Sequence, residues 1–541
     1  MRHVAGRAAR RIRRAMLGLA LASMAAATPA AAQPAPAIVP PDLLAVELPA
    51  GKTTLNPADP PLHALLAAAS SGQRQVSNDV HGPLGEGATR VTWTAWDGAP
   101  GSSKPVATKA ATVFVLPART TPVGVSGDEN ATAGNNATHI ARDDAGRLHM
   151  IWADSGRPGG PAGPMYRRAT VAPDGSVLFE TPPFSVAGTA PSGWNAYPAL
   201  AVTGSTAYCV WQGGGTAWVR RVSLGPSGYV WGPPQNTGAA SAGRDIGPAI
   251  LADGSNVRLV TPSGMFAMSA DGGSTWKTEA IPVPPGQRMK AVSLAPAPSG
   301  ATMVAFTSVV RDPGPHAAPG QGAGGYWQLR TVLRKADGSW TDAGNVLAAV
   351  PAWNVQSATT DSLADWVDIA AGPTGAMHLA WHGTALSHIY EHDEAYYAYR
   401  PLGGAWQAPS LLLAHAFAAG VKSFAPSLTI DGDRALVTVF FDVFQGTNWG
   451  GFDASVVGFR DGAAIGPPLP LVHFVSDSLA HGTPAFALSS RFPAAAPVTY
   501  RAPDGTVWLD LLETLVPMGV GDAAKLVVLQ RVDVTRLSPT Q

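Results

Sequence analysis

Residues 269–276 read Ser-Ala-Asp-Gly-Gly-Ser-Thr-Trp, and this stretch decides the fold. The Asp271 side chain can accept hydrogen bonds from backbone N–H groups of its own turn, as in an Asx turn. Gly273 supplies a backbone conformation that other residues reach only with strain, and Trp276 packs its ring over the turn. The stretch therefore predicts a sealed hairpin, which is a folding device and not a reactive site. The residues that define it are Ser269, Asp271, Gly273, Thr275 and Trp276.

The composition favours an all-β chain. The 541 residues include 60 Gly and 49 Pro, and only 14% of the residues are charged, which is typical of many short strands joined by tight turns. The 37 Lys and Arg residues balance 37 Asp and Glu residues, so no net charge attracts nucleic acid or an anionic membrane. We therefore expect no nucleic-acid partner.

The N-terminus has the pattern of a secretion signal. A basic segment at residues 7–14 precedes an apolar run at 16–26 and the small-residue cleavage site Ala30-Ala31-Ala32. The apolar run is too short to span a bilayer. We expect residues 1–32 to be removed and the mature chain to be secreted or periplasmic, with no membrane span. Residues 33–85 are rich in Ala and Pro, and we expect a linker with a short helix near Leu62–Ala68.

A repeating unit fills residues 86–541. Each copy reads as a strand, a turn with Asp-Gly or a similar pair, a second strand often ending in Trp, and two further strands. Clear second strands are Leu148–Trp152, Ala207–Trp211 and Met377–Trp381. Four-stranded units with short turns are typical of β-propeller blades. We count seven blades, with six or eight as alternatives, and expect a strand within 90–117 to close the ring on Lys525–Gln530.

The hairpin at 269–276 matches the Asp-box of sialidase-like β-propellers at every defined position, and residues 86–541 resemble that superfamily. The resemblance implies a funnel on the face opposite the Asp-box, and an acidic glycan as substrate. Sialidases use a Tyr nucleophile and an Asp acid/base, which implies Tyr197 and Asp154 here. The carboxylate-binding Arg motif of the family's first blade is absent, and Ser490-Arg491-Phe492-Pro493, before the seventh blade, is a distant match.

Ionisable residues collect where the repeat predicts the funnel face, just before innermost strands and just after second strands. Arg244, Arg288 and Arg491 precede three innermost strands and can bind a carboxylate bidentately. The alternative is local pairing, as of Arg244 with Asp245. The other predicted substrate-binding residues on this face are Asn195, Asp245, Asp365 and His382.

A second resemblance concerns propeller-shaped polysaccharide lyases of the ulvan lyase type. It implies elimination beside a uronate carboxylate, with His139 as base, Tyr197 as proton donor and Arg244 as neutralising cation. His149 and His378 differ because both lie inside second strands, where the repeat itself predicts core packing.

His388-Ile-Tyr-Glu391-His392 spells H-x-x-E-H, which is a zinc peptidase pattern when it lies on a helix. Here it falls in a loop of the fifth blade. The pattern therefore favours a solvated polar loop, or a structural metal ion bound by these three side chains, over a peptidase. No other cofactor is indicated.

Three functions remain open at this point. The chain is an enzyme that hydrolyses or eliminates an acidic glycan, a propeller that only binds glycan or protein in its funnel, or a scaffold. An unpaired carboxylate near the arginines would favour hydrolysis, and a His–Tyr pair facing Arg would favour elimination. Ionisable groups that are all mutually paired would favour binding. We expect a monomer in each case.

Overall fold

The fold is taken from a computed structural model that describes most of the chain. The described ranges are 44–67, 75–101, 103–133, 138–154, 162–172, 175–192, 196–225, 228–242, 246–285, 287–311, 325–346, 365–384, 393–413, 423–442, 452–471, 488–517 and 525–537.

An N-terminal sheet precedes the repeats. Its elements are β1 (Ala45–Glu47), β2 (Thr54–Leu55), α1 (Pro60–Ala67), β3 (Gln75–Asn78), β4 (Leu84–Gly85), β5 (Gly87–Trp96) and β6 (Pro105–Leu116). The main strands pair in the order β1-β6-β5-β3, and β2 pairs with β4. Leu44, Leu55 and Leu62 are buried against Trp93. The described residues of 44–67 and 75–85 form short strands and one helix, because their leucines supply a core, and α1 lies where a short helix was expected.

Seven sheets of one plan follow within the described ranges, and we call them blades 1 to 7. Blade 1 contains β8 (Ile140–Arg142), β9 (Leu148–Asp154), β10 (Gly163–Val171), β11 (Val177–Phe179) and β12 (Phe184–Ser185), and blade 2 contains β13 (Ala199–Thr203), β14 (Thr206–Gly213), β15 (Thr216–Gly225), β16 (Gly228–Trp231) and β17 (Gln235–Ala240). Blade 3 contains β18 (Ala249–Asp253), β19 (Asn256–Val260), β20 (Met265–Ser269) and β21 (Lys277–Ala280). Blade 4 contains β22 (Gln287–Ala297), β23 (Ala301–Arg311), β24 (Gly325–Arg334) and β25 (Trp340–Asn345). Blade 5 contains β26 (Asp365–Ala371), β27 (Met377–Thr384), β28 (Asp393–Arg400) and β29 (Ser410–Leu411). Blade 6 contains β30 (Ser423–Asp431), β31 (Arg434–Asp442), β32 (Phe452–Arg460), β33 (Ala463–Ala464) and β34 (Leu469–Pro470). Blade 7 contains β35 (Leu488–Ala495), β36 (Tyr500–Arg501), β37 (Val507–Pro517), β38 (Lys525–Asp533) and β7 (Thr120–Ser126).

The blades form a closed ring. Strands pair antiparallel within each blade, and the first strand of each blade lies innermost, in contact with the innermost strand of the next. Blade 7 returns to blade 1, since β37 contacts β8 and β7 contacts β9. Each blade buries an apolar face that only a neighbour can cover. The predicted all-β propeller is therefore confirmed.

The closing strand is not the one expected from the sequence. β7 pairs antiparallel with β38, with Lys525 opposite Ser126 and Gln530 opposite Thr120. The prediction that a strand within 90–117 fills this place is wrong, because β5 and β6 pair with each other in the N-terminal sheet. That sheet instead covers blade 7, where Phe114 packs in a cluster with Leu488. The ring is thus closed by one strand from near the start of the chain.

Side chains link the innermost strands of blades 4 to 7 in an arrangement that we call the girdle. Three residues at corresponding positions, Ser293, Asp368 and Ser427, each accept the backbone N–H of the next innermost strand. The bonds are Ile369 N to Ser293 Oγ (3.3 Å), Leu428 N to Asp368 Oδ2 (2.8 Å) and Ala495 N to Ser427 Oγ (3.0 Å). Buried backbone donors need partners, so the girdle fixes the height of each blade relative to its neighbour.

Large side chains of the second strands fill the space between blades. Trp152, Trp211 and Trp381 are all buried, as their repeated position predicts. His149 and His378 are also buried, and in each case Nδ1 lies 2.7 Å from a tyrosine hydroxyl of the third strand. The prediction that these two histidines pack in the core is confirmed.

The Asp-box forms the turn between β20 and β21. The carboxylate of Asp271 accepts hydrogen bonds from Thr275 N (2.9 Å), Thr275 Oγ1 (2.6 Å) and Ser269 Oγ (2.7 Å). Gly273 has a φ of 84°, and its carbonyl accepts the Trp276 indole N–H (3.1 Å). These hydrogen bonds to the ionised form hold the pKa of Asp271 well below its usual range. The hairpin is thus locked by its own side chains, as predicted.

Candidate active site at the funnel face

The backbone is bent where innermost strands begin. Tyr197, Trp366, Ala425 and Phe492 have positive φ values of 38°, 52°, 40° and 48°. Register shifts lie at three of these places, between 365 and 368, 424 and 427, and 491 and 494. Such bulges re-aim side chains and are frequent next to active sites. This end of the ring is the predicted funnel face, opposite the Asp-box turn.

The predicted catalytic residues in blades 1 and 2 are buried at this face. His139 has 0% exposure, and its Nδ1 lies 3.0 Å from the carbonyl oxygen of Ile151. Asp154 also has 0% exposure and accepts the backbone N–H of Gly127 (3.2 Å). Tyr197 is 5% exposed. The structure thus places all three beneath the surface of the funnel face and not on it.

Several predicted residues cannot be placed. Outside the described part of the chain lie Asn195, Arg244, Asp245, and the side chains of Arg288 and Asp365. The proposed metal ligands His388, Glu391 and His392 also lie outside the described residues. Within the described ranges, no group of three or more His, Cys, Asp or Glu side chains is arranged to hold a metal ion.

His382 belongs to an aromatic cluster between blades 5 and 6. It is 1% exposed and stacks on Trp366, with ring centres 4.8 Å apart and an angle of 24° between the ring planes. Phe424 meets the same imidazole edge-on at 5.4 Å. The residue therefore packs the wall of the funnel, and it is opposite Asp365 in the β26–β27 pairing.

Arg491, by contrast, lies in a cluster of ionisable side chains at the mouth of blade 7. It is 5% exposed, and its guanidinium lies 4.5 Å from the centre of the Phe452 ring. Its Nη2 is 3.9 Å from a carboxylate oxygen of Glu129, whose side chain is 47% exposed. A guanidinium held over an aromatic face in this way keeps its charge while it is largely desolvated.

Glu513, on the neighbouring strand β37, is the residue that the sequence analysis missed. It is 1% exposed, and the Ser490 hydroxyl donates to its Oε2 (2.5 Å). Its Oε1 is buried without a hydrogen-bond partner among the described residues. Burial raises the pKa of Glu513 to about 7, against the lowering effect of Ser490, and the nearby carboxyl of Asp453 raises it further.

Arg491 and Glu513 lie on paired strands, with Arg491 opposite Thr514, the residue that follows Glu513. Ser490, which binds Glu513, immediately precedes Arg491 on β35, and both ionisable groups meet the start of β32 at Phe452 and Asp453. Asp453 is itself 0% exposed. The arrangement can supply a proton near neutral pH and a second carboxyl group, and Arg491 lies on the neighbouring strand. A Glu within the apolar run Leu511–Leu515 was the available signal, because Glu is almost never fully buried without a reason.

The molecule is thus a β-propeller whose described residues include buried acidic groups and Arg491 at the funnel face. No known protein family and no curated protein matches the sequence. Among solved structures, the chain is similar to a Dyadobacter fermentans protein of unknown function (TM-score 0.39, 12% identity, covering 76% of this chain and 98% of that one). It is also similar to the Trypanosoma rangeli sialidase with bound DANA (0.38, 9%, 75% and 56%) and to the endo-arabinase of Bacteroides thetaiotaomicron (0.29, 13%, 53% and 93%).

No α-helix in the described ranges has the length and apolar character that crossing a bilayer requires.

Proposed function

We propose that the chain is a secreted, carbohydrate-active propeller that hydrolyses an acidic glycan at the mouth of blade 7. The observation that carries the proposal is Glu513, a buried carboxyl group with a pKa raised to about 7 and with one oxygen unpartnered among the described residues. Perturbed titration in a cleft beside a specific charged neighbour is characteristic of catalytic groups. The N-terminal secretion pattern supports an extracellular substrate.

Glycoside hydrolysis needs a carboxylic acid that is still protonated near neutral pH and a second carboxyl group. Glu513 in this role donates its proton to the glycosidic oxygen as the C–O bond breaks. Asp453 is the second carboxyl group, and a water molecule completes the reaction. Arg491, on the neighbouring strand, binds the carboxylate of the sugar.

The neighbours of the candidate groups separate this proposal from elimination. A general base must come within hydrogen-bond reach of the proton that it removes. His139 and Tyr197, the candidates for elimination, are 0% and 5% exposed, and His139 Nδ1 is already engaged by a backbone carbonyl. Glu513 is buried too, but it has a second carboxyl group, Asp453, near it, as hydrolysis needs.

A propeller that only binds its glycan is the second candidate. It is favoured by the low exposure of the cluster, since Glu513 and Arg491 expose 1% and 5% of their surface. A site with so little access suits recognition of a terminal group better than attack within a polymer.

The test is incubation of the mature chain with acidic polysaccharides and sialosides, with reducing ends and the ultraviolet absorbance of unsaturated uronates recorded together. We expect reducing ends without that absorbance, and a loss of at least about 100-fold in Glu513→Gln, because general acids contribute that much or more. Arg491→Met should raise KM for the acidic substrate. Asp433→Asn, at an exposed position of blade 6, is the control and should match the wild type.

The other outcomes are equally informative. New ultraviolet absorbance would replace hydrolysis with elimination. Absence of any product, together with glycan binding that Arg491→Met weakens, would leave the binding propeller. Full activity in a folded Glu513→Gln variant would refute the assignment of the acid.

A further inference from the structure

A cavity of about 650 Å³ lies in the central channel, at the end away from the funnel face. Its wall is made by the later residues of the innermost strands, such as Val202, Ala252 and Ala371. Val498, at its rim, is 53% exposed. A volume of this size is within the range of sites for small organic molecules, about 300–1,000 Å³. The wall is mostly aliphatic, so the cavity suits a ligand with an apolar body.

Two of the described lining residues are ionisable, Arg142 and Asp368. Arg142 is fully committed to the fold. Its Nε and Nη2 donate to Asp510 Oδ2 (2.8 and 2.7 Å), and its Nη1 donates to the carbonyl oxygen of Gly146 (2.6 Å). These donors are thereby held by the fold, and Arg142 shares the Asp510 carboxylate with Arg531.

Asp368 is different because the fold does not need its charge. In the girdle it accepts the backbone N–H of Leu428, and Ser293 and Ser427 accept the corresponding N–H groups with a neutral hydroxyl. The backbone N–H of Ile369 also hydrogen-bonds to the Asp368 carboxylate. No cation among the described residues pairs with it, and its only other side-chain partner is Ser293 Oγ (3.3 Å). Burial raises the pKa of Asp368 to about 7, so an unpaired carboxylate is costly there.

We propose that this channel cavity is a second binding site, for a small organic ammonium ligand whose charge pairs with Asp368 and whose apolar body packs on the aliphatic wall. Divalent metal ions are a poorer match, because they take several oxygen ligands and one carboxyl group is present in the described lining. The site lies on the opposite side of the ring from the proposed glycan site and does not depend on it.

The test is a ligand-observed NMR titration of the mature chain with n-hexylammonium, n-hexanol and hexanoate. It is done at about pH 8, which is above the raised pKa of Asp368. We expect n-hexylammonium to bind at least about tenfold more tightly than n-hexanol, since a hydrogen bond to a charged group contributes that much. Hexanoate should not bind. Asp368→Ser, which copies the girdle residue of both neighbours, should abolish the preference for the amine.

Ser427→Ala is the matched control, because it removes a girdle bond and leaves the carboxylate in place. It should keep the preference for n-hexylammonium, and so should Arg491→Met at the other face. Should Asp368→Ser fail to fold in a thermal melt, Asp368→Asn replaces it. Equal affinity of the wild type for the amine and the alcohol, equal amine binding by wild type and a folded Asp368 variant, or no amine binding at all would overturn the proposal.

Discussion

Replacement of His378 by Gln should make the stability of the protein less dependent on pH. His378 is 2% exposed, and its Nδ1 lies 2.7 Å from the hydroxyl of Tyr397. Burial lowers the pKa of His378 from 6.5 to about 4, although the charge of Asp461 partly opposes this. Gln keeps a hydrogen-bonding group for the tyrosine and removes the titration.

The sign follows from which state binds the proton. Between pH 6.5 and 4 the unfolded chain protonates this imidazole and the folded chain does not, so stability falls as the pH falls through that window. At about 1.4 kcal/mol for each tenfold change in an equilibrium constant, the full effect is about 3 kcal/mol, of which roughly 2.5 kcal/mol is lost by about pH 4.5.

The measurement is urea unfolding of wild type and His378→Gln near pH 7.5 and near pH 4.5. The wild type should lose roughly 2.5 kcal/mol more than the variant between the two conditions. His149→Gln is the matched control, because Asp143 lies 3.3 Å from that imidazole and supports its charged form against burial. Its effect should therefore be smaller. The same pH dependence in wild type and His378→Gln would show that His378 does not remain neutral in the fold.

Two further substitutions test the packing of the ring. The Asp510 carboxylate is shared by Arg142 (2.7 Å) and Arg531 (3.0 Å), and Asp510→Asn removes the counter-charge of both. The substitution should lower the free energy of unfolding in urea by about 3 kcal/mol. A loss below about 1 kcal/mol would contradict the pairing. Gly247→Ala puts a Cβ atom 2.2 Å from the carbonyl oxygen of Tyr197 and should cost about 1–3 kcal/mol, whereas Gly82→Ala, with open space around it, should change the melting temperature little.

The sequence predicted the parts of the fold whose determinants are local. The Asp-box needs only its own side chains, so the bonds made by Asp271 follow from the order of its residues. A Trp at a fixed position marks several of the second strands. The same repeat placed His149 and His378 inside second strands and so predicted them as core residues. The prediction agrees with the structure at these places because nearby residues in the sequence determine both features.

The closing strand could not be predicted in this way. β7 contains Pro122 and Gly124, which weaken a strand pattern. In 90–117, by contrast, polar and apolar residues alternate as in a strand, so the closing strand was predicted there. Gly124 has a tertiary reason, since a Cβ atom there would lie 2.5 Å from the ring of Trp152 in blade 1. The composition of 33–85 is similarly uninformative about its core, because its many Ala and Pro residues hide the few leucines that are buried.

The candidate site was only partly accessible to sequence reasoning. Arg491 was identified from its place before an innermost strand, and it does lie in a cluster of ionisable groups. Asp368 was missed because the bulge at 365–368 shifts the alternation of side chains on its own strand. Glu513 was missed because β37 is buried along almost its whole length, so no alternation marks the position. Beyond a bulge, counting by two no longer gives the face of the sheet that a residue occupies.

Carboxyl groups inside this ring fall into two kinds, and the difference separates stability from function. Asp510 is paired with arginines, as a structural carboxylate should be. Asp368 and Glu513 have no such partner among the described residues, and burial raises the pKa of each to about 7. Their folded forms therefore bind protons that the unfolded chain has released, and stability is lost as the pH rises through about 7. Ser at the girdle positions of the neighbouring blades avoids this cost. Two groups that weaken the fold near neutral pH are best explained by a ligand or a substrate that uses them.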